Sequence, residues 1–264
     1  MLDALEASAP YRNSLILVGA QAVYLRTIKA RLTVAPFTID GDIVIDPSAM
    51  PSAPPLETAL ADAGFELGAQ PGSWSRVVSI AGRDVKVDVD FMVPAAVAPG
   101  AGTRSVELDG HSKRATRRVS GLEAALVDNG SLKIVAFEPA DSRTIALRVA
   151  GPGALVIAKI HKIVDRKGSA RGARTQVDKD AGDIYRLIQA TAVPAMAACF
   201  QAAKQADVSR TVTESALRQL EELFGRAGRS GVEMAVRAVG VGGEAPETIR
   251  SVLTAYVSEL LRTI

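Results

Sequence analysis

Apolar and polar positions follow two different periods along this chain, and the change falls near residue 151. Before it, short apolar runs are bounded by Gly, Pro and Asp. Leu15-Ile16-Leu17-Val18 stops at Gly19, which predicts a buried strand closed by a tight turn. Residues 2–9 predict a short helix ending before Pro10, and residues 21–32 a longer one with Val23, Leu25 and Ile28 apolar. A second strand is expected over residues 37–45, closed by Asp46-Pro47, and a helix over 56–63, stopped by Gly64. Residues 74–80 and 84–93 alternate on either side of Ala81-Gly82-Arg83, the pattern of a β-hairpin. Further strands are expected near residues 119–126, 132–137 and 144–149.

Past Gly151-Pro152-Gly153 the period becomes helical. Residues 154–166 read as a strong helix, a second starts near Asp178, and helices fill the chain from Ala195 with breaks at 206–207, 228–229 and 240–245. The expected organisation is α+β, with a mixed α/β domain over 1–150 and a helical domain over 151–264.

Composition narrows the classes without choosing among them. An apolar share of 48% and a charged share of 23% belong to ordinary globular proteins. A net charge of +2 is too small to imply nucleic-acid binding, so any basic surface must come from local clustering. The single cysteine, Cys199, has no second thiol to pair with, and His111 and His161 lack ligand-like spacing, so neither a disulfide nor a zinc site is expected. Asp3 stands where a basic leader would be, and no apolar run reaches the roughly 20 residues that span a bilayer. A cytoplasmic, reduced protein without membrane contact is the expectation.

Candidate chemistry lies in the first half. Gly19-Ala20 between a strand and a helix lets a phosphate approach the backbone, beside the unpaired N–H groups of a helix start. Close packing would use the same residues. In Thr38-Ile39-Asp40-Gly41-Asp42, residues two apart in an extended strand share a face, which sets two carboxylates roughly 7 Å apart at Cα. Oxygen donors so placed suit Mg²⁺ or Mn²⁺, and two metal ions held about 3.5–4 Å apart need such a pair of carboxylates. Asp is disfavoured in strands, so two of them with a glycine between mark a site as well as a wet face. On the third segment, Asp84, Lys86, Asp88 and Asp90 oppose Val85, Val87 and Val89, and Asp88 or Asp90 can complete a three-carboxylate centre. A two-faced strand with a solvated side is the alternative for this segment.

Gly19-Ala20 before a helix, Thr38-x-Asp40-x-Asp42, and an acidic strand running from Val87-Asp88 to Val93-Pro94 together resemble the nucleotidyltransferase fold. Its AbiEii-type branch, which includes the MenT toxins, is the resemblance the chain carries best. Residues 150–159 and 177–187 are similar to that family's lysine-bearing helix and its Lys-Asp-x-x-Asp helix. The likeness covers approximately residues 15–190. Ala20 replaces a Gly or Ser of the family, Pro36 an arginine, and Gly41 a larger apolar residue.

The resemblance implies a mixed β-sheet with flanking helices followed by a helical bundle, using an NTP as substrate and Mg²⁺ as cofactor. Asp40 and Asp42 would hold metal, with Asp88 or Asp90 as a further ligand or base; Gly19, Ala20 and Thr38 would lie at the nucleotide. Lys159, Lys162 and Arg166 recur at helical spacing as a cationic face opposite Ile160, Ile163 and Val164, and the likeness gives Lys159 a role as a triphosphate clamp. Asp180 would pair with such a lysine or orient the nucleotide, while Asp183 reads as a surface acid. Two basic segments, 111–118 and 166–174, suit a polyanionic acceptor such as tRNA as well as plain solvation. The family implies a toxin transferring a nucleotide to tRNA or to a protein, with a cognate antitoxin as partner. A nucleotidyltransferase acting on a small molecule and a non-catalytic binding module are the rival readings.

Overall fold

The computed structural model describes residues 2–28, 40–80, 82–100, 104–136, 141–167, 174–240 and 244–264. The chain is a mixed α+β protein that divides into two compact units. One comprises Met1–Gln21, Phe37–Leu122 and Asn129–Ala150; the other comprises Ala22–Pro36, Glu123–Asp128 and Gly151–Ile264. Two stretches from before residue 151 therefore join the helical unit. Among the described residues, no helix is long and apolar enough to cross a membrane.

The first unit is a mixed sheet. Its strands are β1 (Leu15–Val18), β2 (Gly41–Ile45), β3 (Glu66–Leu67), β4 (Ser73–Ile80), β5 (Arg83–Pro94), β6 (Ser105–Val106), β7 (Thr116–Val119), β8 (Asn129–Val135) and β9 (Thr144–Ala150). The main path runs β3-β4-β5-β2-β1-β9-β8. β1 lies antiparallel to β2 and parallel to β9, and β2 lies parallel to β5. All four residues of β1 are buried, the mark of a central strand covered on both faces. Ile43, Ile45, Val89, Phe91 and Val93 are fully buried along one face of β2 and β5.

The expected antiparallel pairing is present, with β4 and β5 in register from Ser73↔Asp90 to Ile80↔Arg83; Ala81 lies outside the described residues. Where β4 begins, β7 takes over its side of β5, pairing parallel from Met92↔Arg117 to Pro94↔Val119. Gly72 sits at this handover with φ of 72°. A Cβ there would collide with the Phe91 carbonyl and approach the Arg117 nitrogen to 2.7 Å, so only glycine lets three chain segments meet. Two short helices also belong to this unit, α1 (Leu2–Ala7) and α3 (Leu56–Asp62). Arg143 holds α1 through 2.7 and 2.8 Å contacts with Asp3 and Glu6.

Two strand expectations need correction. β2 starts at Gly41, and Asp40 precedes it in irregular chain; residues 37–39 lie outside the described set. Residues 119–126 are no strand: β7 ends at Val119 and Glu123–Leu126 form a 3₁₀ turn. The apolar run Leu122-Glu123-Ala124-Ala125-Leu126 is rich in Ala and holds no β-branched residue, which favours a helical turn once it is buried.

α2 (Gly19–Thr27) leads out of β1, starting two residues earlier than its pattern indicated. The second unit's remaining helices are α4 (Pro152–Lys167), α5 (Arg174–Ala190), α6 (Val193–Gln205), α7 (Arg210–Phe224), α8 (Ser230–Val239) and α9 (Pro246–Thr263). Ile157, Ile160, Ile163, Ile184, Phe200, Phe224 and Leu253 are fully buried among them. The breaks fall where Gly, Pro and Asp punctuate the pattern. Asp128 starts α4: its Oδ2 accepts the Ala154 N–H at 2.8 Å, and its backbone carbonyl accepts the Gly151 N–H at 2.7 Å. Gly151 and Gly153 leave the room this requires, since a Cβ on Gly151 would overlap the Asp128 carboxylate.

Candidate active site

The turn out of β1 fixes the first part of the site. Gly19 has φ of 70°, in the left-handed region that costs glycine least. A Cβ at this position would fall on Oδ2 of Asp42, so the carboxylate lies directly against the Gly19 backbone. The register explains it: Asp42 pairs with Val18, the residue before the turn. Ala20 follows, 9% exposed, and adds no polar group. The helix that begins here leaves its leading N–H groups without intrahelical acceptors.

The second part comes from the parallel ladder on the other side. Asp42 stands opposite Asp90, between the pairs Gly41↔Val89 and Ile43↔Phe91. Residues in register share a face, so Asp42 and Asp90 lie side by side while their neighbours Ile43 and Phe91 fill the core behind them. Both aspartates are half-buried, whereas Asp40 is exposed at the entrance to the strand. Thr38, expected beside the nucleotide, lies outside the described residues.

Asp88 and Asp90 have different surroundings. Asp88 contacts Lys86 at 3.3 Å on the open part of β5. Asp90 receives a 2.6 Å charge-assisted hydrogen bond from Nη2 of Arg117, with side-chain exposures of only 25% and 15% for the two. Arg117 stands opposite Met92 on β7, two residues along the same face, and its Nη2 is 3.7 Å from the Met92 sulfur. Asp90, and not Asp88, is thus the acid that register brings to Asp42.

The expected three-carboxylate cluster is not assembled. Among the described residues, no group of three or more His, Cys, Asp or Glu is gathered closely enough to hold a metal ion. Asp40 lies before the strand begins, and an arginine draws Asp90. Two carboxylates on one face nevertheless meet what Mg²⁺ asks of a protein, because this ion is commonly held by one or two carboxylates completed by substrate phosphates. The donor set of Asp42 and Asp90 fits the ion on that basis.

The basic segment 111–118 is tied down. His111 is 7% exposed; its Nδ1 accepts the Leu56 N–H at 2.9 Å and its Nε2 is 2.9 Å from the Pro51 carbonyl. Arg114 donates to the Gly68 and Ala69 carbonyls, and Arg118 to those of Ala95, Pro99 and Gly100. Trp74 Nε1 adds a 3.1 Å bond to the Ala115 carbonyl. Arg114 and Arg118 thus hold loops together. The other basic segment lies mostly outside the described residues.

Within the helical unit, Lys159 is 4% exposed and does not belong to an open cationic face. Its Nζ donates to Asp180 at 2.8 Å and to Asp183 at 2.7 Å. Asp180 also contacts Arg166, and Asp183 accepts from Arg186 at 3.0 Å. Asp183, expected on the surface, is fully buried. Burial alone would depress the Lys159 ammonium, but the two carboxylates outweigh it and hold the group above the ordinary lysine value. Tyr24 shares this surrounding: burial first, then the Asp183 charge, raises its phenol. Lys162 is half-buried on the same helix, outside the cluster. A pairing of Asp180 with a lysine such as Lys159 was one of two roles the resemblance implied. The roles of Asp183, Arg117 and Asp128 were not legible, because Lys159, Asp90 and Ala154 reach them from other elements, and Arg186 matters only through Asp183, three residues before it on α5.

No model of a protein family matches the chain, and no curated protein matches it. Among solved structures the chain is similar to an antigenic nucleotidyltransferase-like protein from Paracoccidioides brasiliensis, at 15% identity over 90% of this chain and 91% of that one, with a TM-score of 0.45.

Proposed function

We propose that the protein is a Mg²⁺-dependent nucleotidyltransferase, moving a nucleotide from an NTP onto a tRNA or protein acceptor, as the toxin of a toxin–antitoxin pair. The observation that carries the reading is the pairing of Asp42 with Asp90 on parallel strands, with Asp42 seated against Gly19. Asp42 and Asp90 would hold the ion, which would neutralise charge on the triphosphate as pyrophosphate leaves. Asp40, exposed ahead of the strand, would accept a proton from an incoming hydroxyl. The backbone N–H groups at the start of α2 supply donors to phosphate without any side chain, which suits Ala20. The toxin, the acceptor and the antitoxin rest on the sequence resemblance.

The test is transfer of label from each radiolabelled NTP to total RNA or to protein in the presence of Mg²⁺. Asp42→Asn should lower the rate by at least about a hundredfold, since a metal ligand acts directly on the reacting phosphate. Labelling of an aminoglycoside but of no macromolecule would favour the small-molecule enzyme. The Arg117–Asp90 pair favours one rival, a binding module whose acidic pair is structural. Absence of divalent-ion binding by the intact protein would support that module.

A further inference from the structure

We propose that Arg117 is an internal counter-cation of the Asp42–Asp90 pair, which competes with a divalent ion for Asp90 and is released to the substrate phosphates when that ion binds. The inference rests on the nucleotidyltransferase reading of the same face and assigns a positioning role that the reading does not contain.

The argument starts from charge. Two neighbouring carboxylates on one half-buried face repel each other, and a cation nearby offsets this. Arg117 supplies it from β7, the strand that replaces β4 beside β5. Its neighbour Arg118 is held by three backbone carbonyls, and Arg114 by two. Among the described residues Arg117 makes no such carbonyl bond; its partners there are Asp90 and the soft Met92 sulfur. Of the three arginines it is the one anchored by the very group a divalent ion would take. The guanidinium fork matches phosphate as well as carboxylate, so the same side chain serves either partner.

The test uses the full-length protein and Mn²⁺ as the probe, with free ion counted by electron paramagnetic resonance. The wild type is expected to bind Mn²⁺ and Asp42→Asn to lose it. Arg117→Gln should bind Mn²⁺ alone at least about fivefold more tightly, because a charge-assisted hydrogen bond no longer competes. With Mn²⁺ present, the same variant should bind inorganic triphosphate more weakly than wild type. A merely structural role would not move the two affinities in opposite directions. Arg117→Lys keeps the charge and should stay within about twofold of wild type for Mn²⁺. In the wild type, Mn²⁺ should tighten the binding of radiolabelled inorganic triphosphate retained with the protein on a filter, a readout that ion complexed in solution does not enter and that is independent of whether any variant folds; no such coupling overturns the inference. Unchanged or weaker Mn²⁺ binding by folded Arg117→Gln overturns it too, leaving the nucleotidyltransferase reading in place. No Mn²⁺ binding by the wild type sinks both.

Discussion

Gly19 shows how a single hydrogen atom in place of a methyl can set a carboxylate. Its positive φ and the contact with Asp42 leave no space for a side chain. Gly19→Ala should therefore cost about 1–3 kcal/mol in chemical denaturation, from strain at a left-handed position. It should also push Asp42 from its place, so that Mn²⁺ affinity falls further than stability does. Cys199 makes a second residue-level case. Burial, then the charge of Asp128, pushes its thiol up to about 11 from 9.0. The thiolate fraction at pH 8 is then about a hundredfold below that of an ordinary thiol, and a thiol reagent should react correspondingly slowly with the native protein. Because the folded value is the higher one, the folded state keeps the proton longer. The contribution to stability is full below pH 9 and fades between about 9 and 11, which denaturation across that range would register.

At the scale of elements, polar residues inside the helices matter most. Lys159, Asp180 and Asp183 are buried on α4 and α5, and removing one partner strands the others in a dry interior. Asp183→Asn or Lys159→Ala should cost about 3–5 kcal/mol in urea unfolding. Asp128→Ala, which uncaps α4, should cost about 1–2 kcal/mol by the same measurement. These elements also show what a sequence discloses. Strands β1, β5 and β9 were legible because hydrophobic burial imposes a period of two or an unbroken apolar run. Lys159 reads as part of a cationic face because its helical spacing sets it beside Lys162 and Arg166; its partners lie 21 and 24 residues later, beyond any local pattern. Arg117 read as one of several loop cations for the same reason: parallel pairing of β5 with β7 decides its neighbour, and no short-range period encodes such pairing. The acidic pair itself was legible, yet which of Asp88 and Asp90 would meet Asp42 depended on register alone.

For the molecule as a whole, a net charge of +2 and the carbonyl bonds of Arg114 and Arg118 leave few cations from residues 111–118 for an RNA backbone. Were RNA the acceptor, Arg171→Ala with Arg174→Ala should weaken its binding and flatten the salt dependence by about one to two units of slope. Arg114→Ala should change that slope by less than about half a unit, as a filter-binding series in salt would show. Another property of the whole chain follows from β2, a strand of five residues gripped on both edges by β1 and β5. A shift by one position would turn Ile43 to the wet face and drive Asp42 into the hydrocarbon interior, so the core itself forbids slippage.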